Sequence, residues 1–93
     1  MVEIVKTAEF DRWLKDLKDT RARAKVIIRI QRLGLGNAGD VAPVGNGISE
    51  MRIHYGPGYR VYYKQQGATV TLLFGGDKAT QEADIQKAKA LSE

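Results

Sequence analysis

Two segments of strict alternation, joined by Gly56-Pro57-Gly58, constrain this chain more than anything else in it. Glu50-Met51-Arg52-Ile53-His54-Tyr55 precedes the turn and Tyr59-Arg60-Val61-Tyr62-Tyr63-Lys64 follows it. Successive strand residues point to opposite faces of a sheet, so Met51, Ile53, Tyr55, Tyr59, Val61 and Tyr63 share one face. Glu50, Arg52, His54, Arg60, Tyr62 and Lys64 then share the other. The turn residues fold the two strands back on one another as an antiparallel pair. The apolar side needs a cover. The cationic side is expected to stay partly open to solvent, where it suits a polyanion such as RNA.

The remaining elements follow from periodicity. Val2 to Lys6 alternates and reads as a short first strand, with Thr7 as the N-cap of a helix. Phe10, Trp13, Leu14 and Leu17 form that helix's apolar stripe. Asp19-Thr20 interrupts the pattern and caps a second helix from about Arg21 to Leu35, with Ala24, Ile27, Ile28, Ile30 and Leu35 expected on its buried side. Gly36 to Asp40 is a loop. Val41 to Val44 reads as a short strand that Pro43 confines to an edge. Gly45-Asn46-Gly47 is a turn, and Thr69 to Phe74, the most apolar run, is expected at the centre of the sheet. Gly75-Gly76 ends or kinks that strand. Thr80 is placed to cap a last helix through Leu91, with Ile85, Ala88 and Leu91 facing inward. The expected fold is α+β in one domain spanning 1–93: an N-terminal helical hairpin packed on an antiparallel sheet, with a C-terminal helix.

Composition narrows the function. Fifteen Lys and Arg against eleven Asp and Glu give a net charge of +4, which favours nucleic acid or an acidic protein as partner. There is no cysteine and a single histidine, so disulfides and thiolate zinc sites are excluded and no cofactor or metal is expected. No apolar run is long enough for a signal peptide or a bilayer span, so a cytoplasmic protein without membrane association is expected.

The cationic strands carry groups that handle a phosphodiester. Internal RNA cleavage needs a proton taken from the 2′-hydroxyl, a stabilised phosphorane and a proton for the leaving oxygen. Arginine neutralises a phosphorane through two parallel hydrogen bonds, which singles out Arg52 and Arg60. His54 is the side chain whose ordinary pKa lies near neutrality, and so the acid–base candidate. Glu50 either takes the proton instead or pairs with Arg52. Tyr62 stacks on a base, donates to phosphate, or fills the rim of the sheet. On the second helix Arg21, Lys25, Arg29 and Arg32 fall on one stripe, read as a phosphate track beside a cationic sheet or as a solvated helix face.

Several segments, in this order, resemble the RelE/ParE superfamily of toxins, in its HigB-like addiction-module killer branch. They are Trp13 to Asp19, Gly36 to Asp40, Gly47 to Ile53, Tyr55 to Tyr62, and Gly75 to Gln81 followed by Asp84-Ile85. The resemblance implies a toxin of a type II toxin–antitoxin module. It implies partnership with a cognate DNA-binding, HigA-like antitoxin and with the ribosome and mRNA. The implied activity is translation inhibition by a ribosome-dependent mRNA interferase, an endoribonuclease that uses the RNA 2′-hydroxyl without metal. ParE-like members of the same superfamily instead poison DNA gyrase without cutting RNA. By position Arg52 falls on the strand that supplies cations to the family's site, Arg60 matches the arginine of the following strand, and Lys78 lies just after the last strand. Many ribosome-dependent members place a catalytic Tyr or His near the C-terminus; Lys87 to Glu93 contains neither. The acid or base must come from His54, Tyr62 or Glu50, or the activity rests on electrostatics.

Overall fold

A computed structural model describes residues 2–93. The element order is β1 (Glu3–Lys6), α1 (Ala8–Asp16), α2 (Thr20–Gly34), β2 (Val41–Gly45), β3 (Ile48–Ile53), β4 (Tyr59–Gln66), β5 (Thr69–Gly76), a 3-10 turn over Lys78–Thr80, and α3 (Gln81–Leu91). Both early helices start as their caps dictate. The Thr7 side chain accepts from the Phe10 amide at 3.0 Å, and Asp19 accepts from the Arg21 and Ala22 amides at 2.9 and 3.2 Å. The Arg23 guanidinium donates to the carbonyls of Lys15 and Leu17, satisfying groups that the end of α1 leaves open.

The sheet runs β1-β5-β4-β3-β2. β3 and β4 pair antiparallel across the Gly-Pro-Gly turn, with Arg52 opposite Arg60 and Glu50 opposite Tyr62. β2 is an edge strand, as Pro43 requires. The other edge is occupied by β1, which lies parallel to β5, with Glu3 beside Thr69 and Lys6 beside Leu72.

The expected hairpin on an antiparallel sheet is therefore overturned. The sheet is mixed, and α1 lies on β5 while α2 meets β3, so the two helices serve different strands. The cause is Thr7. Its amide donates to the Leu72 carbonyl and its hydroxyl to that of Leu73, which locks the end of β1 and the start of α1 onto β5. The centre of the sheet is β4; β5 is second from the edge.

A second correction concerns α2. Its buried residues are Ala22, Val26 and Leu33, with Ile30 half-buried, whereas Ile27, Ile28 and Leu35 are 39, 45 and 76% exposed. The expected inner face is largely the outer one. Periodicity did not discriminate because this helix is apolar on both sides.

The two faces of the sheet are both covered, which is the third correction. On one, Phe10, Val26, Leu33, Met51, Ile53, Val61, Tyr63, Val70 and Leu72 form the main core. On the other, α3 packs on β4 and β5, with its Ala88 against Ile48, Tyr62 and Leu73. The face expected to stand open is thus largely roofed, and Tyr62 is fully buried beneath it.

Gly75 and Gly76 let both layers approach. A Cβ on Gly75 would collide with the Trp13 indole of α1, and one on Gly76 with the Asp84 carboxylate of α3. One glycine serves each face, which accounts for the pair.

Candidate functional site

The site is organised around a buried carboxylate. Glu50, on β3, is 1% exposed. It accepts from Arg52 Nε at 3.2 Å, from the Tyr62 hydroxyl at 3.1 Å and from Gln81 Nε2 at 2.8 Å; Arg60 Nε lies 3.7 Å away. Three of these groups come from the paired strands, where alternation and register place them, and Gln81 comes from the first turn of α3. A charge so deeply buried is stable only when it is paired and hydrogen-bonded. Of the two readings of Glu50, pairing is the one realised, and it extends to both arginines.

Arg60 is held tightly. One terminal nitrogen donates to the Gly58 carbonyl at 2.6 Å, only 13% of the side chain is exposed, and its buried Nε has no hydrogen-bond partner among the described residues. Arg60 is therefore a half-roofed residue, not the solvated one expected from alternation alone. Arg52 is freer, with 39% of its side chain exposed. Lys78 is exposed just after β5, and its amide meets the Pro57 carbonyl at 3.4 Å, so it stands over the same turn as Arg60. These three cations share one end of the sheet.

Tyr62 does not stack on a ligand. Burial pushes its phenol well above the ordinary tyrosine range, and the charge and hydrogen bond of Glu50 add to the effect. It stays protonated and donates to Glu50. Lys64 is also set apart: it lies opposite Ile48, four residues along β4 from Arg60 or about 13 Å at strand rise.

His54 lies just past the end of β3, exposed, with Nε2 at 2.5 Å from Asp40 Oδ2. The other oxygen of Asp40 is 4.0 Å from Arg52. One carboxylate thus ties the imidazole to the edge of the arginine pair. The His54 hydrogen bond holds the Asp40 carboxyl below its ordinary value, helped by Arg52 and Arg29 nearby. With Nε2 donating to Asp40, Nδ1 is left free.

The helix stripe divides. Arg29 turns inward and donates to the carbonyls of Arg52, Ala38 and Asp40, so it clamps the loop before β2 instead of meeting a ligand. Arg21, Lys25 and Arg32 stay outside, Lys25 with its ammonium 5.3 Å from the centre of the Tyr55 ring. Lys25, Arg32 and His54 border an open groove of about 250 Å³ that Ile28 and Ile53 also line.

Sequence reasoning missed two members of the site. Asp40 sat in a loop read only as a connection, and Gln81 arrives from a helix whose position over the sheet has no local signal. Glu50 and Arg52, two apart in a strand, were legible as neighbours. No group of His, Asp and Glu side chains among the described residues has metal-site geometry. No helix among them is long and apolar enough to cross a membrane.

No family model matches the chain. It is 53% identical over 93 residues to a Haemophilus influenzae protein described as uncharacterized, covering 99% of this chain and 94% of that one. At that identity and coverage, the chain belongs to the same family as the Haemophilus influenzae protein.

Proposed function

We propose that this chain is the toxin of a type II toxin–antitoxin module of the RelE/ParE superfamily, a ribosome-dependent mRNA endoribonuclease neutralised by a cognate antitoxin. The observation that carries the reading is the pairing of Arg52 with Arg60 on one buried carboxylate, beside Lys78 and the Asp40–His54 pair. The ordered segments that resemble this superfamily support it as well.

In this reading Arg52 and Lys78 take the non-bridging oxygens of the scissile phosphate, and Arg60 supplies charge from behind. His54 Nδ1 accepts the proton of the 2′-hydroxyl while Asp40 holds the ring through Nε2. The 2′-oxygen attacks phosphorus and the bond to the 5′-oxygen breaks, leaving a 2′,3′-cyclic phosphate. Solvent returns a proton to the 5′-oxygen. Glu50 fixes the arginines and touches no RNA.

Primer extension on mRNA after brief induction in cells lacking the antitoxin tests it. Cuts inside translated codons that vanish when initiation is blocked are expected. Arg52→Ala should lower cleavage roughly 10²–10³-fold. Intact transcripts with accumulating DNA double-strand breaks would replace this reading with gyrase inhibition.

A further inference from the structure

The second face of α2 has no use in the fold. Opposite the buried Ala22, Val26 and Leu33, the helix presents Ala24, Ile28, Gln31 and Leu35, spaced by four, three and four residues along one stripe. Val5 aside, the exposed large apolar side chains among the described residues are Ile27, Ile28 and Leu35, all on this helix or its C-cap. An amphipathic helix ordinarily keeps its large aliphatic side chains on the inner stripe, and here Ile28 and Leu35 lie outside it.

Charge decides what covers it. Arg21, Lys25 and Arg32 are exposed along one flank of the stripe, and none makes an ion pair among the described residues. On that flank lies the cationic groove. On the other, a second groove of about 290 Å³ runs between Ile27 and Ile30 of α2 and Ile4 of β1. The stripe is therefore a ridge between a cationic and an apolar trough, about 17 Å long from Ala24 to Leu35 at helical rise. Two copies pairing antiparallel about a two-fold would set the cationic flanks against each other, and pairing parallel would lay each cationic flank against the other copy's apolar trough, so neither gives the cations a counter-charge. RNA would use the cations and leave the isoleucines and Leu35 in water.

We infer that the outer face of α2 is a protein-docking surface for an amphipathic helix with an aliphatic stripe and carboxylates along one edge. The aliphatic stripe covers Ile28 and Leu35, and the carboxylates meet Lys25 and Arg32. This surface uses none of Arg52, Arg60 or Lys78 and meets the proposed catalytic groups only at His54 on the groove border, and peptide binding is read without any RNA cleavage.

The test uses the full chain and a synthetic amphipathic helix of about five turns, leucines on one stripe and glutamates on one flank. Binding is followed by NMR titration and calorimetry. Shifts concentrated on α2 are expected. Ile28→Ser with Leu35→Ser should weaken binding at least about tenfold and leave the melting midpoint unchanged, because both side chains are exposed. Lys25→Glu with Arg32→Glu should reject this peptide and accept one with lysines in place of the glutamates. Failure to bind overturns the inference, as does binding indifferent to Ile28 and Leu35. Concentration-dependent dimerisation abolished by Ile28→Ser would assign the face to a second copy. A single-stranded RNA that shifts the same signals and competes whether or not Ile28 and Leu35 are replaced would assign it to nucleic acid.

Discussion

The two faces of the sheet are built on different principles. Under α1 and α2 lie nine buried apolar side chains with no charged group among them. Between α3 and the sheet are four, one of them Ala88 of α3 itself, and beside them a carboxylate that binds two arginines, a phenol and an amide. The first face gains stability from area and needs no particular orientation of any one group. The second fixes orientations, because each donor around Glu50 has one acceptor to reach. Apolar packing and a fixed array of polar groups thereby fall on opposite sides of one strand pair, since alternation sends consecutive residues to opposite faces.

The largest effects should separate the faces. Phe10→Ala, on the dry side, is expected to cost about 3–5 kcal/mol, with whatever protein remains folded keeping its specific activity. Glu50→Ala is expected to cost a similar amount, about 3–5 kcal/mol, by stranding buried arginine charge, and to abolish activity even where the protein is folded. Urea unfolding and cleavage normalised to folded protein would check both. If Glu50→Ala retains full activity, the second face is merely another core.

Next in size is Gly75→Ala. The added methyl must displace Trp13, and with it α1, at about 1–3 kcal/mol. NMR should show the disturbance confined to α1 and β5. Shifts that spread to Gln81 and Glu50 would mean that the faces are coupled through the strand.

Asp84→Asn should act in the opposite direction. Burial raises this carboxyl above its ordinary 3.8 despite a hydrogen bond from Thr80. Folding thus takes up a proton between 3.8 and the raised value. That contribution is fully present below 3.8 and lost as pH rises through the folded value. Asparagine carries no charge at any pH. The variant should be more stable than the parent at pH 7 and lose that advantage by about pH 3. Urea midpoints at the two pH values decide it, and an advantage equal at both would contradict the burial account.

Legibility followed locality. The shared face of Arg52 and Arg60 and the Glu50–Arg52 neighbourhood were readable because a two-residue period determines them. The register was not: the connection runs from His54 to Gly58, so Arg60 pairs with Arg52 and not with His54 as a three-residue turn would have it. The caps at Thr7 and Asp19 were readable because they too are local. The orientation of α2 was not, since Ile27, Ile28 and Leu35 mimic an inner face as well as Ala22, Val26 and Leu33 do. The parallel placement of β1 was hidden because a four-residue alternation has no mark of direction. The roofing of Tyr62 and Arg60 depends on where α3 lands, and its inner side includes Asp84, which breaks the apolar pattern.

The parallel pairing of β1 with β5 also sets a timetable. Glu3 finds its partner in Thr69, 66 residues later. At about 5–20 residues per second of synthesis, β1 must wait roughly 3–13 s before its neighbour exists. Until then the Thr7 hydroxyl lacks the Leu73 carbonyl that anchors α1. Native pairing so distant in the chain forms late. The sheet closes only once β5 has left the ribosome, so a nascent chain stalled before β5 has its first edge strand unpaired.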